Sequence, residues 1–542
     1  MKTTTRTNFP FTIIAVAFLL IASACTNKSA PEQLVMMLEK NVTTFDPRKS
    51  GDSADARMQQ LIFNGLTRKN EKFEPVGDLA ESFESSADYK TWTFKLRQGV
   101  KFHNGKTLTS GDVKYTFETL MAPGFASPKA ADFVGNPKAM PSPSPAGSPA
   151  PSAAPATSGA STVPLLLLET PDPNTVVFRC VNSMPGLANQ ILPVGIIPEG
   201  SGDKQAKSPV GTGPFKFVSF ASDQDVQLTA FDEYFGGKPS VQNIRIKIVP
   251  DNSTRDAEFR KGSADLGINL DLEPVTVESL KKAEGVKVIQ SDGTNLAHIG
   301  INTTDPVLKD VKIRQALAYG IDREALIRDL FLGQAKVASN VLPTNQWAYE
   351  PGVTTYNYDP EKAKQLLDEA GKKQTGDQPR FKLTLKTSPL SISKKVAEVM
   401  QEQLRRIGVD LAIQSLENQK LTQDITEGNF QLYYRVMVGG NQSTDIFKFA
   451  YHSKSMPPNG QNRMRYNNPK VDKLIDDALL APQDKRKEMY SQIQKTLADE
   501  LPQIYLWYPS AITVHRARVT GIVQDPSGDW SVVRNVKLNP QQ

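Results

Sequence analysis

The sequence predicts an α/β protein with more than one lobe. Its 542 residues are several times the usual size of a domain, and 39% hydrophobic and 23% charged residues are ordinary fractions for a globular protein. From Gln33 onward, short strand patterns alternate with helical patterns, which is typical of an α/β architecture. No internal repeat emerges from this alternation.

The first 24 residues have the pattern of an export signal. Lys2 and Arg6 precede an apolar run that is shorter than the ~20 residues of a membrane span. The stretch LIASAC that ends at Cys25 resembles a bacterial lipobox, with Ala22 where Leu is usual. We therefore predict a lipidated Cys25, a tether over residues 25–32 and anchoring to the membrane in the periplasmic or extracytoplasmic cell envelope. The secreted alternative would leave Cys180 as the sole disulfide partner for Cys25.

The charge balance argues against a nucleic-acid partner. The formal net charge is +6, and it falls to +4 without Lys2 and Arg6, because residues 1–24 contain no acidic residue. Basic and acidic residues are interspersed along the chain, so we expect a mixed, solvated surface.

Residues 137–164 interrupt the alternation with a run of Pro, Ala, Ser, Gly and Thr. Such a composition buries too little apolar surface to offset the entropy of ordering a backbone. We predict a disordered surface insertion within one lobe, because strand patterns resume at Thr175.

The stretch around His103 predicts a scaffold rather than a reactive site. Trp92, Phe94 and Leu96 alternate with polar residues as in a half-buried strand, and His103-Asn104-Gly105 has the composition of a turn. A helix with a capping box is expected to begin near Thr109. No second catalytic residue type lies nearby, and a general base needs a partner.

Six collinear segments carry a family resemblance. They are TTFDP (43–47), LIFNGLTR (61–68), residues 79–118, SPVGTGPFKF (208–217), VKIRQALAYGIDREALI (311–327) and YNNPKVDKLIDDA (466–478). Together they resemble the bacterial extracellular solute-binding proteins of family 5, which serve dipeptide, oligopeptide and nickel ABC importers.

The resemblance implies a type II periplasmic-binding-protein-like clamp of two lobes. Lobe one would comprise residues 33–290 and 514–542, with an extra domain at 65–200, and lobe two residues 291–513. Two crossover strands would form the hinge, and lobe closure around a small solute, above all a peptide, would be presented to an ABC permease of the inner membrane. A monomer without cofactor or metal is expected.

A peptide site needs strand edges for the peptide backbone and charges for its termini. The candidates are Asn64 in lobe one, by the resemblance, and, from lobe-two strands and loops, Asn295, His298, Asn302, Tyr434, Arg435, Asp445 and Phe447.

Most of these candidates have a structural alternative. Asn302 could bond its own turn, His298 could be a core histidine, and Tyr434 and Phe447 could be core aromatics. Arg435 lies in an apolar strand and needs an anion, either an internal carboxylate or one from the ligand.

Asp445 has two readings. In well-known peptide binders of the family, an aspartate pairs the amino group of the ligand, and Gly440 stands at the matching position here. Asp445 could take over this role, or it could cap a helix that begins near Ile446.

Two other function classes are less well supported. Ser391 and Lys394 fit a serine–lysine hydrolase pattern, but Lys386-Thr387 precedes the serine instead of following far downstream, so we expect no enzyme. Nickel-chelate binding remains the alternative transport function, with His452 as a candidate ligand that has no second histidine near it in sequence.

Overall fold

The computed structural model describes Met1 and residues 33–539, with gaps at 50–52, 126, 128, 131–132, 136–162 and 458–459. Apart from Met1, the predicted export signal lies outside the described residues, as do Cys25, the tether and nearly all of the predicted insertion.

The chain alternates strands and helices as the sequence predicts. The part up to residue 291 contains β1 (Gln33–Leu38), α1 (Ser53–Ile62), β2 (Thr67–Lys69), β3 (Pro75–Gly77), β4 (Ala80–Ser85), β5 (Thr91–Leu96), α2 (Ser110–Leu120), β6 (Val134–Gly135), β7 (Val163–Pro164), β8 (Leu166–Asp172), β9 (Thr175–Cys180), α3 (Leu187–Gln190), β10 (Phe215–Ala221), β11 (Asp225–Ala230), β12 (Asn243–Ile248), α4 (Asn252–Lys261), β13 (Leu266–Ile268), α5 (Pro274–Leu280) and β14 (Val286–Ser291).

The remainder is more helical. It contains β15 (Leu296–Ile301), α6 (Val311–Tyr319), α7 (Arg323–Leu330), β16 (Ala335–Val337), α8 (Pro360–Glu369), β17 (Phe381–Thr387), α9 (Ser391–Arg405), β18 (Val409–Ser415), α10 (Asn418–Glu427), β19 (Leu432–Met437), α11 (Ile446–Tyr451), α12 (Pro469–Leu480), α13 (Gln483–Glu500), β20 (Gln503–Pro509), β21 (Ala511–Arg516), β22 (Val519–Thr520) and β23 (Lys537–Leu538). Across the described ranges, no helix combines the length and the apolar character that crossing a membrane requires.

Two large sheets form the centres of the two lobes. The strand order is β10-β11-β12-β1-β13-β21-β14 in the first sheet and β16-β20-β15-β19-β17-β18 in the second. In the second sheet one face is apolar, because Ala297, Ile299 and Ile301 of β15 are buried against α6–α9. β13 and β21 lie far apart in the sequence but pair with each other. The first sheet therefore contains strands from both sequence segments of lobe one.

The chain crosses between the two sheets twice, at residues 292–295 and at Ser510. The crossovers pack closely, because a Cβ on Gly293 would lie 2.0 Å from the carbonyl oxygen of Pro509. Only glycine fits this approach. The expected boundary at 513–514 falls inside β21, so the crossover itself lies three residues earlier.

A third core belongs to the segment between Leu66 and Ile196. The four-stranded sheet β4-β5-β9-β8 packs against α2 there, with Trp92, Phe94 and Leu96 buried as the alternation predicts. β6 pairs with β7, which brings the two ends of the proline-rich segment side by side. Val163 and Pro164 therefore belong to a strand, which corrects the end of the predicted insertion.

The scaffold prediction for His103 is confirmed. Its Nε2 lies 2.9 Å from the carbonyl oxygen of Gly213, and its Nδ1 lies 3.4 Å from the backbone nitrogen of Gly211. Burial lowers the pKa of His103 to about 4. The capping box that joins Thr109 and Asp112 is also present.

Candidate functional site

The site is built at the edge of the lobe-two sheet that faces lobe one. The first crossover enters β15 and the second leaves β20, so the N-terminal end of β15 and the C-terminal end of β20 lie at this edge. The C-terminal ends of β17, β18 and β19 lie there too, because β17 is parallel to both others and β19 is antiparallel to β15. Loops at this kind of edge commonly carry ligand-binding side chains.

Three contacts close the gap between the lobes in this structure. Lys69 Nζ donates a hydrogen bond to Gln442 Oε1 at 2.7 Å. Arg486 Nη2 lies 3.4 Å from the hydroxyl of Tyr89. At Gly186, an added Cβ would lie 2.9 Å from Asp445 Oδ1. The structure thus holds the lobes close together.

Charged groups of lobe one surround Lys69. Burial lowers the pKa of Lys69, against the opposing effect of Asp529 and Asp525. Burial likewise raises the pKa of Asp529. A desolvated lysine between two lobes is costly unless polar partners surround it.

Amide side chains cluster at the first crossover. Asn441 Nδ2 donates to the carbonyl oxygen of Thr294 at 2.7 Å, and Gln442 Nε2 donates to Thr294 Oγ1 at 2.9 Å. The Oδ1 atoms of Asn295 and Asn441 are buried without a hydrogen-bond partner in the described part of the chain. Buried amides of this kind suit a ligand that carries its own amide groups.

Arg435 lies on the face of β19 that also carries Tyr433, directly opposite His298 of β15. Its Nη2 donates to Thr422 Oγ1 at 2.8 Å and to the carbonyl oxygen of Asn418 at 3.4 Å. Burial lowers its pKa, and the nearby charge of Arg463 adds to this effect. Arg435 makes no ion pair within the described ranges, so no internal carboxylate supplies the anion that the sequence predicted.

Asp445 does not cap its helix through its side chain. It occupies the N-cap position of α11, but no side-chain capping bond is present, and its Oδ2 instead accepts a hydrogen bond from Ser443 Oγ at 2.8 Å. The capping hypothesis is therefore wrong. The carboxylate faces Gly186 across the lobes, so its role toward a ligand amine stays a prediction.

Three lobe-two candidates make contacts within the lobe that agree with their structural alternatives, and their binding to a ligand stays a prediction. Asn302 Nδ2 donates to the carbonyl oxygens of Phe430 and Gly428 at 3.0 and 3.3 Å, so its amide orders a turn. Tyr434 is buried in the main lobe-two core. Phe447 is 0% exposed, and its ring stacks on Tyr490 at a centroid distance of 5.2 Å.

Asn64 uses both ends of its amide within lobe one. Its Nδ2 donates to Asp78 Oδ2 at 2.9 Å, and its Oδ1 accepts from Thr212 Oγ1 at 3.2 Å. Burial raises the pKa of Asp78. Contact of Asn64 with a ligand stays a prediction.

His298 is a buried neutral histidine, which agrees with its structural alternative, and its binding to a ligand stays a prediction. Its Nδ1 lies 3.4 Å from the carbonyl oxygen of Leu296, and its ring packs edge-on against Tyr433. Burial lowers its pKa to about 4.

Stability is expected to fall on acidification because of His298. Above pH 6.5 the ring is neutral in both states, whereas between pH 6.5 and 4 the unfolded chain binds a proton that the folded protein excludes. The loss should reach roughly 3 kcal/mol near pH 4. Urea unfolding at pH 7, 5 and 4 measures it, and His298→Gln should remove the share of His298 while leaving that of His103, whose pKa burial also lowers to about 4. An equally steep fall in the variant would contradict this origin.

The described residues do not support a metal site at His452. His452 is 3% exposed, and its Nε2 and Nδ1 lie 3.4 and 3.7 Å from the carboxylates of Asp476 and Asp472. No group of three or more His, Cys, Asp or Glu side chains suited to a metal ion occurs in the ranges described. The expectation of a nickel ligand at His452 is not supported by this geometry.

The model of the bacterial extracellular solute-binding proteins, family 5 Middle, matches residues 74–458. The chain belongs to this family. Family 5 membership agrees with the resemblance of the six sequence segments and places the protein among extracytoplasmic solute-binding proteins of transport systems.

Relatives of this family 5 member match along most of its length. A probable di/tripeptide-binding protein 5 of Pseudomonas aeruginosa is 30% identical, and the match covers 93% of each chain. The ABC transporter substrate-binding protein CtaP of Listeria monocytogenes has a TM-score of 0.78 at 26% identity, covering 94% of this chain and 99% of CtaP. The oligopeptide-binding protein AppA of Bacillus subtilis, solved with a nonapeptide, has a TM-score of 0.72 at 24% identity, covering 94% and 100%. The type II clamp fold is thereby confirmed.

Sequence reasoning missed several residues of the candidate site. Lys69 and Gln442 come from two distant segments, and no local pattern marks them. Asn441 stands in the Gly439-Gly440-Asn441 stretch, whose glycines could have indicated a loop near a ligand.

Proposed function

We propose that the protein captures a peptide between its lobes and delivers it to an ABC permease without chemical change. The observation that carries the proposal is the combination of two buried amide oxygens near the crossover, those of Asn295 and Asn441, with an arginine; in the described part of the chain the oxygens accept no hydrogen bond and the arginine has no ion-pair partner. Amides match a peptide backbone, and a guanidinium matches its carboxylate. The di/tripeptide and nonapeptide ligands in the names of the relatives support the same solute class.

The remaining parts of the proposal concern location. A lipid on Cys25 would hold the monomer at the membrane, and the LIASAC stretch supports this. Changing Cys25 to Ser should release the protein from the membrane fraction. Retention of the variant in that fraction would argue against the anchor.

A thermal-shift comparison tests the ligand class. Dipeptides, tripeptides and a nonapeptide are tested beside nickel–histidine, because a ligand that binds the folded state raises its melting temperature by mass action. At 100 times Kd the stabilisation is about 2.7 kcal/mol. We expect a rise with at least one peptide length and none with nickel–histidine. A rise in melting temperature with nickel–histidine alone would favour the alternative transport function. Hydrolysis of a test ester would instead indicate an enzyme.

A further inference from the structure

A groove of about 700 Å³ lies behind the two crossovers. The end of α5 in lobe one forms one wall, and α7, β16 and the turn between them in lobe two form the other. The residues that matter here are Glu278, Lys282, Ile327, Leu332, Ala335 and Val337.

The strand order places this groove on the far side of the hinge from the cleft contacts. β14 is an edge strand of the lobe-one sheet, and β16 is the corresponding edge strand of the lobe-two sheet, next to β20. β19, whose loop carries Gln442, lies on the opposite side of β15 and β20. The crossovers therefore lie between the groove and the Lys69–Gln442 contact.

The turn at residues 332–334 is held against lobe one. Gln334 Nε2 donates to the carbonyl oxygen of Pro274 and to Glu278 Oε1, both at 3.0 Å, and Gln334 is 5% exposed. Leu332 has φ +50° and yet leaves 42% of its surface exposed. A leucine in the left-handed region costs about 1 kcal/mol, so the structure keeps an apolar side chain at this position at a cost.

Opening the cleft must change this groove. The lobes can separate Lys69 from Gln442 only by rotating about the crossovers, and a rotation that widens one side of a hinge narrows the other. In this structure, with the cleft contacts made, the groove is the space left between the end of α5 and the lobe-two wall of α7 and β16.

We propose that this groove limits how far the lobes open, and that Leu332 and Gln334 are positioning residues that set the balance between open and closed lobes. The inference rests on the lobe closure of the proposed function. Because a ligand needs the closed form, the fraction of closed protein scales the apparent affinity.

The test fills the groove without touching the cleft. Lys282 is exposed, so Lys282→Trp should fold normally and place a large ring against Ile327 and Leu332. Lys282→Ala removes the same side chain and leaves the groove empty. Lys373→Trp adds the same ring at an exposed site before β17, at the end of lobe two away from the crossovers.

The readout is the distance between the lobes in the ligand-free full chain. Spin labels are placed on cysteines introduced at Lys72 and Lys448, both exposed, with Cys25 changed to Ser and Cys180 buried. In the wild type we expect two distances, a longer one from open lobes and a shorter one from closed lobes. In Lys282→Trp, and in neither of the other two variants, the ratio of the short-distance population to the long-distance population should rise at least fivefold. The melting temperature should stay unchanged.

Two results would overturn the inference. One is an unchanged distance distribution in Lys282→Trp, and the other is a single short distance in the ligand-free wild type, which would leave no opening to limit. Neither result bears on peptide binding, which the thermal-shift comparison measures separately.

Discussion

Replacing Arg435 by Met is expected to weaken peptide binding about 100-fold. A charge-assisted hydrogen bond contributes about 1.5–3 kcal/mol, and its loss leaves the carboxylate of the peptide unpaired inside the closed cleft. The fold should survive, because among the described residues the guanidinium donates hydrogen bonds to Thr422 and Asn418 alone. Titration calorimetry with a peptide that stabilises the wild type measures the change.

Two control variants show whether a loss of affinity in Arg435→Met comes from the missing charge at position 435 or from a general effect of the substitution. Arg405→Met removes an exposed arginine of α9 that pairs with Glu402, and it should bind like the wild type. Thr422→Val removes the hydrogen-bond partner of Arg435 and should cost much less than Arg435→Met. Unchanged affinity in Arg435→Met would exclude Arg435 from the site.

Replacing Phe447 by Ala is expected to lower the free energy of unfolding by about 3–5 kcal/mol. The ring is fully buried between Tyr490 and Tyr451, so its removal leaves a cavity in the core of lobe two. The folded variant should keep its peptide affinity within a few-fold. Chemical denaturation and calorimetry measure the two effects.

The same helix supplies the control. Phe449 is 47% exposed, so Phe449→Ala should change the free energy of unfolding by less than about 1 kcal/mol. If Phe447→Ala weakened binding and left unfolding unchanged, Phe447 would belong to the site after all.

Local sequence patterns predict much of the fold. Alternation predicts β5, and the capping box predicts the start of α2, because both depend on neighbours within a few residues. The histidine turn could also be interpreted, since a single imidazole without a nearby acid or nucleophile has little chemistry to offer.

The candidate site depends on long-range placement, which no local pattern contains. Residue type marks Arg435 as unusual, but only the folded structure shows that its guanidinium donates to Thr422 and makes no ion pair with a carboxylate of the described residues. For Asp445 the local pattern is misleading, because its position before a helix predicts a cap. In the structure its carboxylate accepts a hydrogen bond from Ser443, and Gly186 faces it from the other lobe. Phe447 was indistinguishable from a ligand-facing aromatic until its burial was known.

The pairing of β6 with β7 indicates where the protein can tolerate changes in chain length. It holds residues 135 and 163 as antiparallel neighbours, so a segment inserted between these two points would begin and end at adjacent positions. The entropy of closing a loop rises by only about 0.6 kcal/mol for each doubling of its length. Insertions, deletions or a fused reporter domain between β6 and β7 should therefore change the free energy of folding little. We expect this position to vary in length among related proteins.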